Sequence, residues 1–283
     1  MDQKKYLKRK ISMSLSLKNK VAIITGASRG VGKAVALKLA EHGVRIAVGA
    51  KTVESSAKTP GSIYDTVKEI EALGSEALAI PTDVRFEDQI QNLVQKTIER
   101  FGRIDIVVNN AGAIFWLPVE QLPVKRFDLM MQINYRAPFI LCHEATPFLK
   151  KQSEGWVINM SPPAQIGVLA AENWAGRTGY LMSKFGMTHL TLGLAEELRA
   201  FNISVNSLWP TSLIDTQATR VFAEMFKADA SVKWYSPELL AAASLEIFKT
   251  PPAQLTGQAL IAEEFLKSRG IKDLEKYRAP SPV

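Results

Sequence analysis

A tyrosine and a lysine stand four residues apart in the stretch TGYLMSKFG, as Tyr180 and Lys184. Residues at this spacing lie on one face of a helix, so the two side chains can act together. A free phenol titrates near pH ~10, and a neighbouring ammonium favours the phenolate and lowers that pKa. The two residues are therefore a candidate acid–base pair. The spacing alone is weak evidence, because chance pairs of this kind are common in helices.

A further candidate hydroxyl belongs to Ser161, in the stretch VINMSPPAQIG (157–167). An apolar, strand-like run ends at this serine, and Pro162 and Pro163 cannot continue a sheet ladder. The chain therefore presents one hydroxyl at a strand end. Ser161 either polarises a substrate oxygen or closes the turn, and the sequence leaves both interpretations open.

A glycine-rich loop, TGASRGVGKAVALKLAEHG, follows the first predicted strand directly. Its glycines permit a tight turn that brings backbone N–H groups to a helix N-terminus, which suits a pyrophosphate. The G-x3-G-x-G spacing differs from the common G-x-G-x-x-G fingerprint, so a simple glycine turn is the alternative. The candidate cofactor-binding residues of this loop are Gly26, Ser28, Arg29, Gly30, Val31 and Gly32.

The second predicted strand ends in GAKT, at the place where dinucleotide-binding folds carry an acid that holds the ribose 2′-hydroxyl. Here Ala50 and Lys51 occupy that place. A carboxylate would repel a 2′-phosphate, whereas Lys51 and Arg29 could neutralise one. The pattern predicts that NADP(H) is preferred over NAD(H). The alternative is that each cation is a solvated surface charge.

Two more motifs follow predicted strands: TDV, with Asp83 and Val84, and NNAG, with Asn110, Ala111 and Gly112. The carboxyl ends of strands are where open α/β sheets collect ligands. TDV could contact the adenine amine, and NNAG could pass close under the adenosine ribose. Asn, Asp and Gly are also the ordinary residues of turns, so each motif alone has a local explanation.

Short β-branched runs alternate with helical patterns from Lys20 onward. The predicted strands are 21–25, 44–50, 76–81, 104–109, 155–160, 203–209 and 258–262. The predicted helices are 31–42, 63–73, 86–101, 124–151, 180–201 and 237–248. This alternation predicts an α/β fold, a single doubly wound Rossmann-type domain whose seven-stranded parallel sheet has helices on both faces. We expect a basic, flexible leader at 1–19, a catalytic NAD(P)-binding domain at 20–262 and a C-terminal extension at 263–283.

Composition argues against several other classes for this 283-residue chain. The single cysteine, Cys142, excludes an internal disulfide framework, and three scattered histidines do not form a metal cluster. No apolar run approaches the ~20 residues of a membrane span. The net charge is +7, but residues 1–20 carry seven basic residues and one acidic residue, so the body is nearly neutral. These features predict a cytoplasmic protein without a nucleic-acid partner, with an organellar presequence as the alternative to a flexible leader.

Taken in order, the motifs resemble the classical short-chain dehydrogenase/reductase family over roughly residues 20–262. The matching segments are TGASRGVG (25–32), DV (83–84), NNAG (109–112), Asn134 and YLMSK (180–184). The resemblance implies hydride transfer between NAD(P) and a carbonyl or alcohol, and a homodimer or homotetramer. It also implies that Tyr180 is the general acid/base, that Lys184 activates it and grips the nicotinamide ribose, and that Asn134 anchors a water relay.

The sequence is also similar to the dehydrogenase domain of the hydroxysteroid-dehydrogenase-like proteins. The segments that carry this resemblance are AKT with a long insert to PGSIYDTVKEIEALG (60–74), INMSPP (158–163) and WPTSLIDT (209–216). It implies a lipid-, steroid- or terpenoid-like substrate. The family's usual Pro-Gly is Pro210-Thr211 here, and nicotinamide-side contacts are expected from Pro210, Thr211 and Leu213. The position of the family's catalytic serine is a proline, with Ser161 one place before it.

Apolar residues in loops and short helices flank the expected cleft and could line a substrate pocket. They are Ile114, Phe115, Trp116, Trp174, Val221, Phe222, Met225 and Phe226. Packing in a lid or an interface is the alternative for about half of them.

The alternative function is an NADP-binding sensor or scaffold with weak or lost catalysis. Pro162, at the usual serine position, favours that interpretation. The joint retention of Tyr180, Lys184 and Asn134 argues for an enzyme.

Overall fold

The structure is a computed structural model and describes residues 15–57, 59–163, 174–226 and 233–280. Its strands and helices follow in the order β1 (Val21–Thr25), α1 (Gly30–Ala40), β2 (Arg45–Ala50), α2 (Ile63–Ala72), β3 (Ala77–Pro81), α3 (Glu87–Phe101), β4 (Ile106–Asn109), α4 (Val124–Met130), α5 (Ala137–Leu149), β5 (Gly155–Asn159), α6 (Thr178–Leu198), β6 (Ile203–Trp209), β7 (Leu213–Ile214), α7 (Gln217–Phe226), β8 (Trp234–Tyr235), α8 (Glu238–Phe248), β9 (Ala259–Ile261) and α9 (Ala262–Ser268). A π-helical segment, Met131–Arg136, joins α4 to α5. Short 3-10 helices lie at Arg199–Phe201, Pro252–Gln254 and Glu275–Tyr277.

Seven strands form one parallel sheet in the order β3-β2-β1-β4-β5-β6-β9. In its centre Ile23 of β1 lies opposite Ala47 of β2 on one side and Val107 of β4 on the other. Every residue of β1 is buried, as expected where helices cover both faces of a parallel sheet. The predicted α/β fold with a seven-stranded parallel sheet is confirmed.

Two apolar cores hold the helices, one on each face of the sheet. On the first face α1 packs against α8, which also contacts α9, and Phe248 is among the fully buried side chains. On the second face α3 packs against α5, and α6 packs against β6, around residues such as Ile90 and Leu93. The helices that follow β1, β4 and β5 are thereby fixed relative to the sheet.

The chain leaves the sheet in opposite directions after β1 and after β4. From β1 it leads to β2, and from β4 it leads to β5 on the other side. The carboxyl ends of these neighbouring strands therefore border a crevice, where open parallel sheets bind ligands. The TGASRGVG and NNAG motifs lie at these two strand ends.

The helix predicted over 124–151 is interrupted by the π-helical segment. At the end of this segment the N–H of Ala137 donates to the carbonyl of Gln132, five residues back. Pro138 has no N–H for the carbonyl of Asn134, and a proline ring clashes with the carbonyl four residues before it. The extra residue in this turn accompanies a fully buried Asn134, and such bulges are frequent at functional sites.

The folded part of the chain begins before residue 20, contrary to the leader predicted over 1–19. The backbone N–H of Leu15 donates to the carbonyl of Lys249 at 3.2 Å. Leu17 is buried in the core of the first face. Residues 1–14, the greater part of the predicted leader, lie outside the described residues.

The core also continues past residue 262, where the sequence predicted a C-terminal extension. Phe265 and Leu266 of α9 and Leu274 beyond it are buried in the first core. The seven residues of α9 are too few to show a clear helical period, and the two residues each of β7 and β8 are too few to show strand alternation. These three elements and α7 are absent from the sequence prediction.

Candidate active site

The glycine-rich loop and the NNAG motif are joined through Thr25, the last residue of β1. The Thr25 hydroxyl oxygen accepts hydrogen bonds from the backbone N–H groups of Asn110 and Ala111, both at 3.1 Å. The amide of Asn110 donates to the carbonyls of Thr25 at 2.9 Å and Gly26 at 3.3 Å. The Asn110 side chain therefore holds the start of the loop.

The backbone of the loop is built for a close approach to a ligand. Gly26 and Gly30 have φ angles of 67° and 56°, which side chains rarely adopt. Helix α1 begins at Gly30 without a hydrogen bond from a capping side chain to its first N–H groups. A helix N-terminus of this kind binds phosphate oxygens, so the loop fits the pyrophosphate of a dinucleotide. Thr216 faces Gly30, with its Cγ2 3.3 Å from where a Cβ would lie.

The cations predicted to contact a 2′-phosphate differ in their surroundings. Lys51 is exposed directly after β2. The guanidinium of Arg29 instead donates to the backbone carbonyls of Pro60 at 2.9 Å, Gly61 at 2.8 Å and Thr59 at 3.4 Å. Arg29 is therefore engaged with the segment before α2, and Lys51 is the cation open to solvent at the strand end.

Asp83, predicted at the adenine end, lies 2.6–3.0 Å from Arg85 in a two-pronged ion pair. Hydrogen bonding from Arg85 holds the pKa of the Asp83 carboxyl below its usual value. The N–H of Asp83 donates to Gln89 at 2.7 Å, and Val84 beside it is buried. The carboxylate oxygens keep lone pairs for a further donor, but they are already oriented by Arg85.

Tyr180 and Lys184 lie one turn apart on the buried face of α6, 6% and 4% exposed. The ammonium of Lys184 donates to the carbonyl of Met160 at 2.8 Å. It also lies 3.8 Å from where a Cβ on Gly112 would be, so the last residue of the NNAG motif is next to the ammonium. The structure thus brings the acid–base pair to the same crevice as the cofactor motifs.

Burial controls the ionisation of both groups. It raises the pKa of Tyr180 well above the ordinary phenol value, and it lowers the pKa of Lys184 to about 8. Desolvation is the main influence on the pKa of Tyr180 in this structure, where the ammonium of Lys184 donates to Met160; that Lys184 lowers the pKa of Tyr180 stays a prediction. A protonated phenol at neutral pH is a competent proton donor.

Asn134 ties the π-helical segment to the loop after NNAG and to α6. Its side-chain oxygen accepts from the N–H of Ala113, and its amide donates to the Ala113 carbonyl, both at 2.8 Å. The same amide donates to the hydroxyl of Ser183 at 3.0 Å, and Ser183 donates to the carbonyl of Tyr180 at 2.7 Å. The Asn134 side chain therefore has a positioning role.

Ser161 is fully buried and faces α6 beyond the acid–base pair. Its hydroxyl lies 3.0 Å from that of Thr188, which also donates to the carbonyl of Pro162 at 2.6 Å. Thr188 is eight residues after Tyr180, about two helical turns along α6. The structure therefore brings Ser161 together with Thr188.

Aromatic side chains surround Tyr180. The rings of Trp116 and Trp209 lie 6.3 Å and 6.5 Å from its ring, and Trp174 stacks on Phe185 at 5.6 Å. Ile114 and Phe115 pack in the same cluster. Of the other predicted pocket residues, Val221 is exposed, and the side chains of Phe222, Met225 and Phe226 lie outside the described residues.

Glu263 is a site residue that sequence reasoning missed. Its carboxylate accepts from the Thr211 N–H at 3.1 Å, the Thr211 hydroxyl at 2.9 Å and the Ser212 N–H at 3.3 Å. It is 7% exposed and fixes the loop that follows Pro210 at the end of β6. Leu213 begins β7 directly after this loop. The available signal was an acidic residue in the first turn of a helix after the last strand.

A metal centre and a membrane span are both absent from the described residues. In them, no three His, Cys, Asp or Glu side chains come together as a metal site requires. No helix in the described ranges is both long and apolar enough to cross a membrane. Cys142 is buried, and burial raises the pKa of its thiol to about 12.

Curated relatives match this chain over most of its length. It is 41% identical over 254 residues to hydroxysteroid dehydrogenase-like protein 2 of Danio rerio, covering 90% of this chain and 59% of that protein. It is 42% identical to the Rattus norvegicus protein over 254 residues, covering 90% of this chain and 47% of that protein. The chain thus spans about half the length of the curated relatives it matches.

Solved structures match most of this chain. A short-chain dehydrogenase from Mycobacterium thermoresistibile is 38% identical with a TM-score of 0.84, covering 94% of this chain and 93% of that one. A metagenomic short-chain oxidoreductase in complex with NADP is 27% identical with a TM-score of 0.69, covering 87% and 98%. A family model described as short chain dehydrogenase matches residues 20–226. The predicted resemblance is confirmed: the chain belongs to the short-chain dehydrogenase family, oxidoreductases that act on CH–OH and C=O groups with NAD(P).

Proposed function

We propose that the protein is an NADP(H)-dependent oxidoreductase acting on an apolar carbonyl or secondary alcohol, of lipid-, steroid- or terpenoid-like character. The observation that carries the proposal is the place of Tyr180 and Lys184. Both side chains are buried one turn apart on α6, and the ammonium of Lys184 lies beside Gly112 of the NNAG motif, which is joined to the start of the glycine-rich loop. A proton donor there can meet a substrate next to a bound dinucleotide.

When bound, the nicotinamide cofactor supplies a hydride in reduction or accepts one in oxidation. In reduction Tyr180 donates its phenolic proton to the carbonyl oxygen, and in oxidation its phenolate takes the proton from the alcohol. Burial raises the pKa of the phenol further above neutral pH, so Tyr180 carries the proton that it would donate in reduction. At a pH below about 8, the pKa of Lys184, its ammonium is positively charged, and Lys184 lies one helical turn from Tyr180, whose hydroxyl exchanges the proton.

After Tyr180 has donated its proton, a relay must supply another, and the π-helical segment supports such a relay. Pro138 cannot donate to the carbonyl of Asn134, so that carbonyl lacks its ordinary helical partner. The Asn134 side chain is occupied by Ala113 and Ser183. The main-chain oxygen is therefore the part of Asn134 that we assign to the relay.

The preference for NADP(H) is supported by charge at the end of β2. Lys51 is exposed, and Ala50 stands where an acid would repel a 2′-phosphate. The metagenomic short-chain oxidoreductase that was solved in complex with NADP is a related protein, 27% identical to this chain. A charge-assisted contact from Lys51 would contribute about 1.5–3 kcal/mol, enough for at least a tenfold preference.

An apolar substrate is supported by the rings around Tyr180. Trp116, Trp209 and the stacked pair Trp174–Phe185 offer large apolar surface within one cluster. Pockets for small apolar ligands are lined in this way, with few polar groups to orient the reacting atom.

We also propose a cytoplasmic homodimer or homotetramer. Phe139 of α5 and Tyr135 of the π-helical segment are 59% and 47% exposed, which supports contact with a second copy. The buried thiol of Cys142 is compatible with a reducing compartment.

A panel of apolar carbonyls and alcohols, assayed by nicotinamide absorbance with NADPH and with NADH, tests this function. We expect turnover on at least one apolar ketone or secondary alcohol with NADPH, far above that of Tyr180→Phe. If the protein binds a cofactor but its turnover does not exceed that of Tyr180→Phe, the protein is better described as an NADP-binding sensor or scaffold. The pairing of Ser161 with Thr188 also favours that alternative, because it engages the serine hydroxyl within the fold.

A further inference from the structure

Arg29 lies inside the glycine-rich loop, but its side chain points away from the loop toward residues 59–61. Its backbone is extended, with φ −166° and ψ 179°. The guanidinium donates from Nε to the Pro60 carbonyl and from Nη2 to the carbonyls of Gly61 and Thr59, at 2.9, 2.8 and 3.4 Å. The planar guanidinium can donate to three carbonyls at once from fixed directions, and the ammonium of a lysine cannot reproduce this geometry.

The same segment touches the loop at two further points. A Cβ on Gly61 would lie 2.7 Å from the carbonyl oxygen of Ser28, so the two backbones are in direct contact. The hydroxyl of Thr66, in the first turn of α2, donates to the carbonyl of Ala27 at 3.0 Å. Three consecutive loop residues are therefore braced by one stretch of chain, from 59 to 66.

This stretch is itself ordered by local hydrogen bonds. Ser56 and Thr59 exchange backbone hydrogen bonds at 3.2 and 3.1 Å, and the N–H of Gly61 donates to the Ser55 hydroxyl at 3.0 Å. Ser62 and Asp65 cap α2 reciprocally. It can therefore act as a brace and is not a free loop.

We infer that Arg29 is a positioning residue that clamps segment Thr59–Gly61 onto the glycine-rich loop and thereby aims the N–H groups of α1 at the pyrophosphate. This inference rests on the proposed cofactor class. It reassigns Arg29, because a guanidinium turned to three carbonyls does not distinguish cofactors by their 2′-phosphate. Loss of the clamp should weaken every dinucleotide that uses the loop, whereas loss of Lys51 should weaken NADPH alone.

Calorimetric titration of the full chain with NADPH and NADH separates the two roles. In Arg29→Ala we expect both dissociation constants to rise by about tenfold, the effect of losing hydrogen bonds from a charged group, with their ratio unchanged. Lys51→Ala, the matched loss of one cation, should raise the constant for NADPH only. Weaker NADPH binding with unchanged NADH binding in Arg29→Ala would overturn the inference, as would no change in either.

Amide hydrogen exchange without cofactor tests the clamp independently of the proposed function. In Arg29→Ala, and more mildly in Thr66→Val, the amides of Ser56, Thr59 and Gly61 should exchange at least several-fold faster. They should be unchanged in Lys51→Ala. Unchanged exchange in Arg29→Ala would overturn the clamp even if NADPH binds. Failure of the wild-type chain to bind either dinucleotide would instead remove the proposed function and leave the exchange result standing.

Discussion

The hydroxyl groups of Ser161 and Thr188 lie 3.0 Å apart, and both residues are fully buried between the end of β5 and the middle of α6. The carbonyl of Pro162 accepts from the same threonine at 2.6 Å. Thr188 therefore holds the chain at Ser161 and Pro162, directly after β5. This arrangement favours a structural role for the serine that stands one place before the family's usual catalytic position.

We expect Ser161→Ala to keep most of the wild-type turnover, within about threefold. Its free energy of unfolding should fall by about 1 kcal/mol, because one buried hydrogen bond is lost. Steady-state rates and urea unfolding measure the two effects. Thr188→Val should also keep most of the turnover, but it should lose more stability than Ser161→Ala, because it also removes the hydrogen bond to the carbonyl of Pro162. A rate loss of about 10² with unchanged stability would mean that Ser161 polarises the substrate oxygen after all.

Tyr180→Phe should lower the rate by about 10² or more, because the transferable proton is gone. The ring stays between Trp116 and Trp209, so NADPH affinity and the melting temperature should hardly change. The rate on a good substrate and the dissociation constant of NADPH are the two measurements. Retention of most of the activity would rule out Tyr180 as the acid.

The stability of the protein should depend on pH through Lys184. Its pKa is lowered to about 8 in the fold from an ordinary value of 10.5. Between these values the unfolded chain binds more protons, so the free energy of unfolding rises with pH; below about 8 both states are protonated and the trend stops. Above about pH 10 unfolded Tyr180 ionises first, and because its folded pKa is raised the trend reverses.

We expect the wild type to gain on the order of 2 kcal/mol relative to Lys184→Met between pH 8 and pH 10. Urea unfolding of both proteins at several pH values measures the gain. Parallel pH profiles would show that the buried lysine keeps its proton throughout.

Lys51→Asp should abolish the preference for NADPH over NADH, because a carboxylate repels the 2′-phosphate and can hold a ribose hydroxyl. The ratio of the two dissociation constants is the measurement. Lys68→Asp, the same charge change on an exposed residue of α2, is the control and should leave the ratio unchanged. An equal ratio in wild type and Lys51→Asp would contradict the assignment.

Glu263→Ala leaves the N–H groups of Thr211 and Ser212 without their acceptor. We expect a loss of about 1–3 kcal/mol of stability and a higher KM for the cofactor, because the loop after β6 is released. Thermal unfolding and steady-state kinetics measure both. Glu264→Ala, an exposed neighbour on the same helix, should change neither. A similar effect in both variants would point to helix α9 as a whole.

The strands and most helices could be predicted from sequence because local pattern determines them. The runs 21–25 and 203–209 match β1 and β6 at both ends, since each is a short apolar run with clear borders. Pro138 is a local signal for a break in the helix over 124–151. The pattern does not show that the break is π-helical, or that Asn134 binds the backbone of Ala113, which is distant in sequence.

The site was predictable in its motifs but not in its contacts. TGASRGVG, NNAG and the Tyr180–Lys184 pair carry recognisable spacing, and the structure brings them to one crevice. The directions of Arg29, Ser161 and Glu263 are decided by partners far away in the chain: Gly61, Thr188 and Thr211. A single sequence contains no local signal for such pairings.

The five tryptophans of the chain fall into two groups that differ in their surroundings. Trp116 and Trp209 face Tyr180, and Trp174 stacks on Phe185 in the same cluster. Trp156 and Trp234 are 0% and 1% exposed. Reduced nicotinamide absorbs where tryptophan emits, so a bound cofactor should quench the first group by energy transfer. Unfolding should shift the emission of the second group to longer wavelength, which makes the intrinsic fluorescence of this protein a reporter of occupancy and of folding at once.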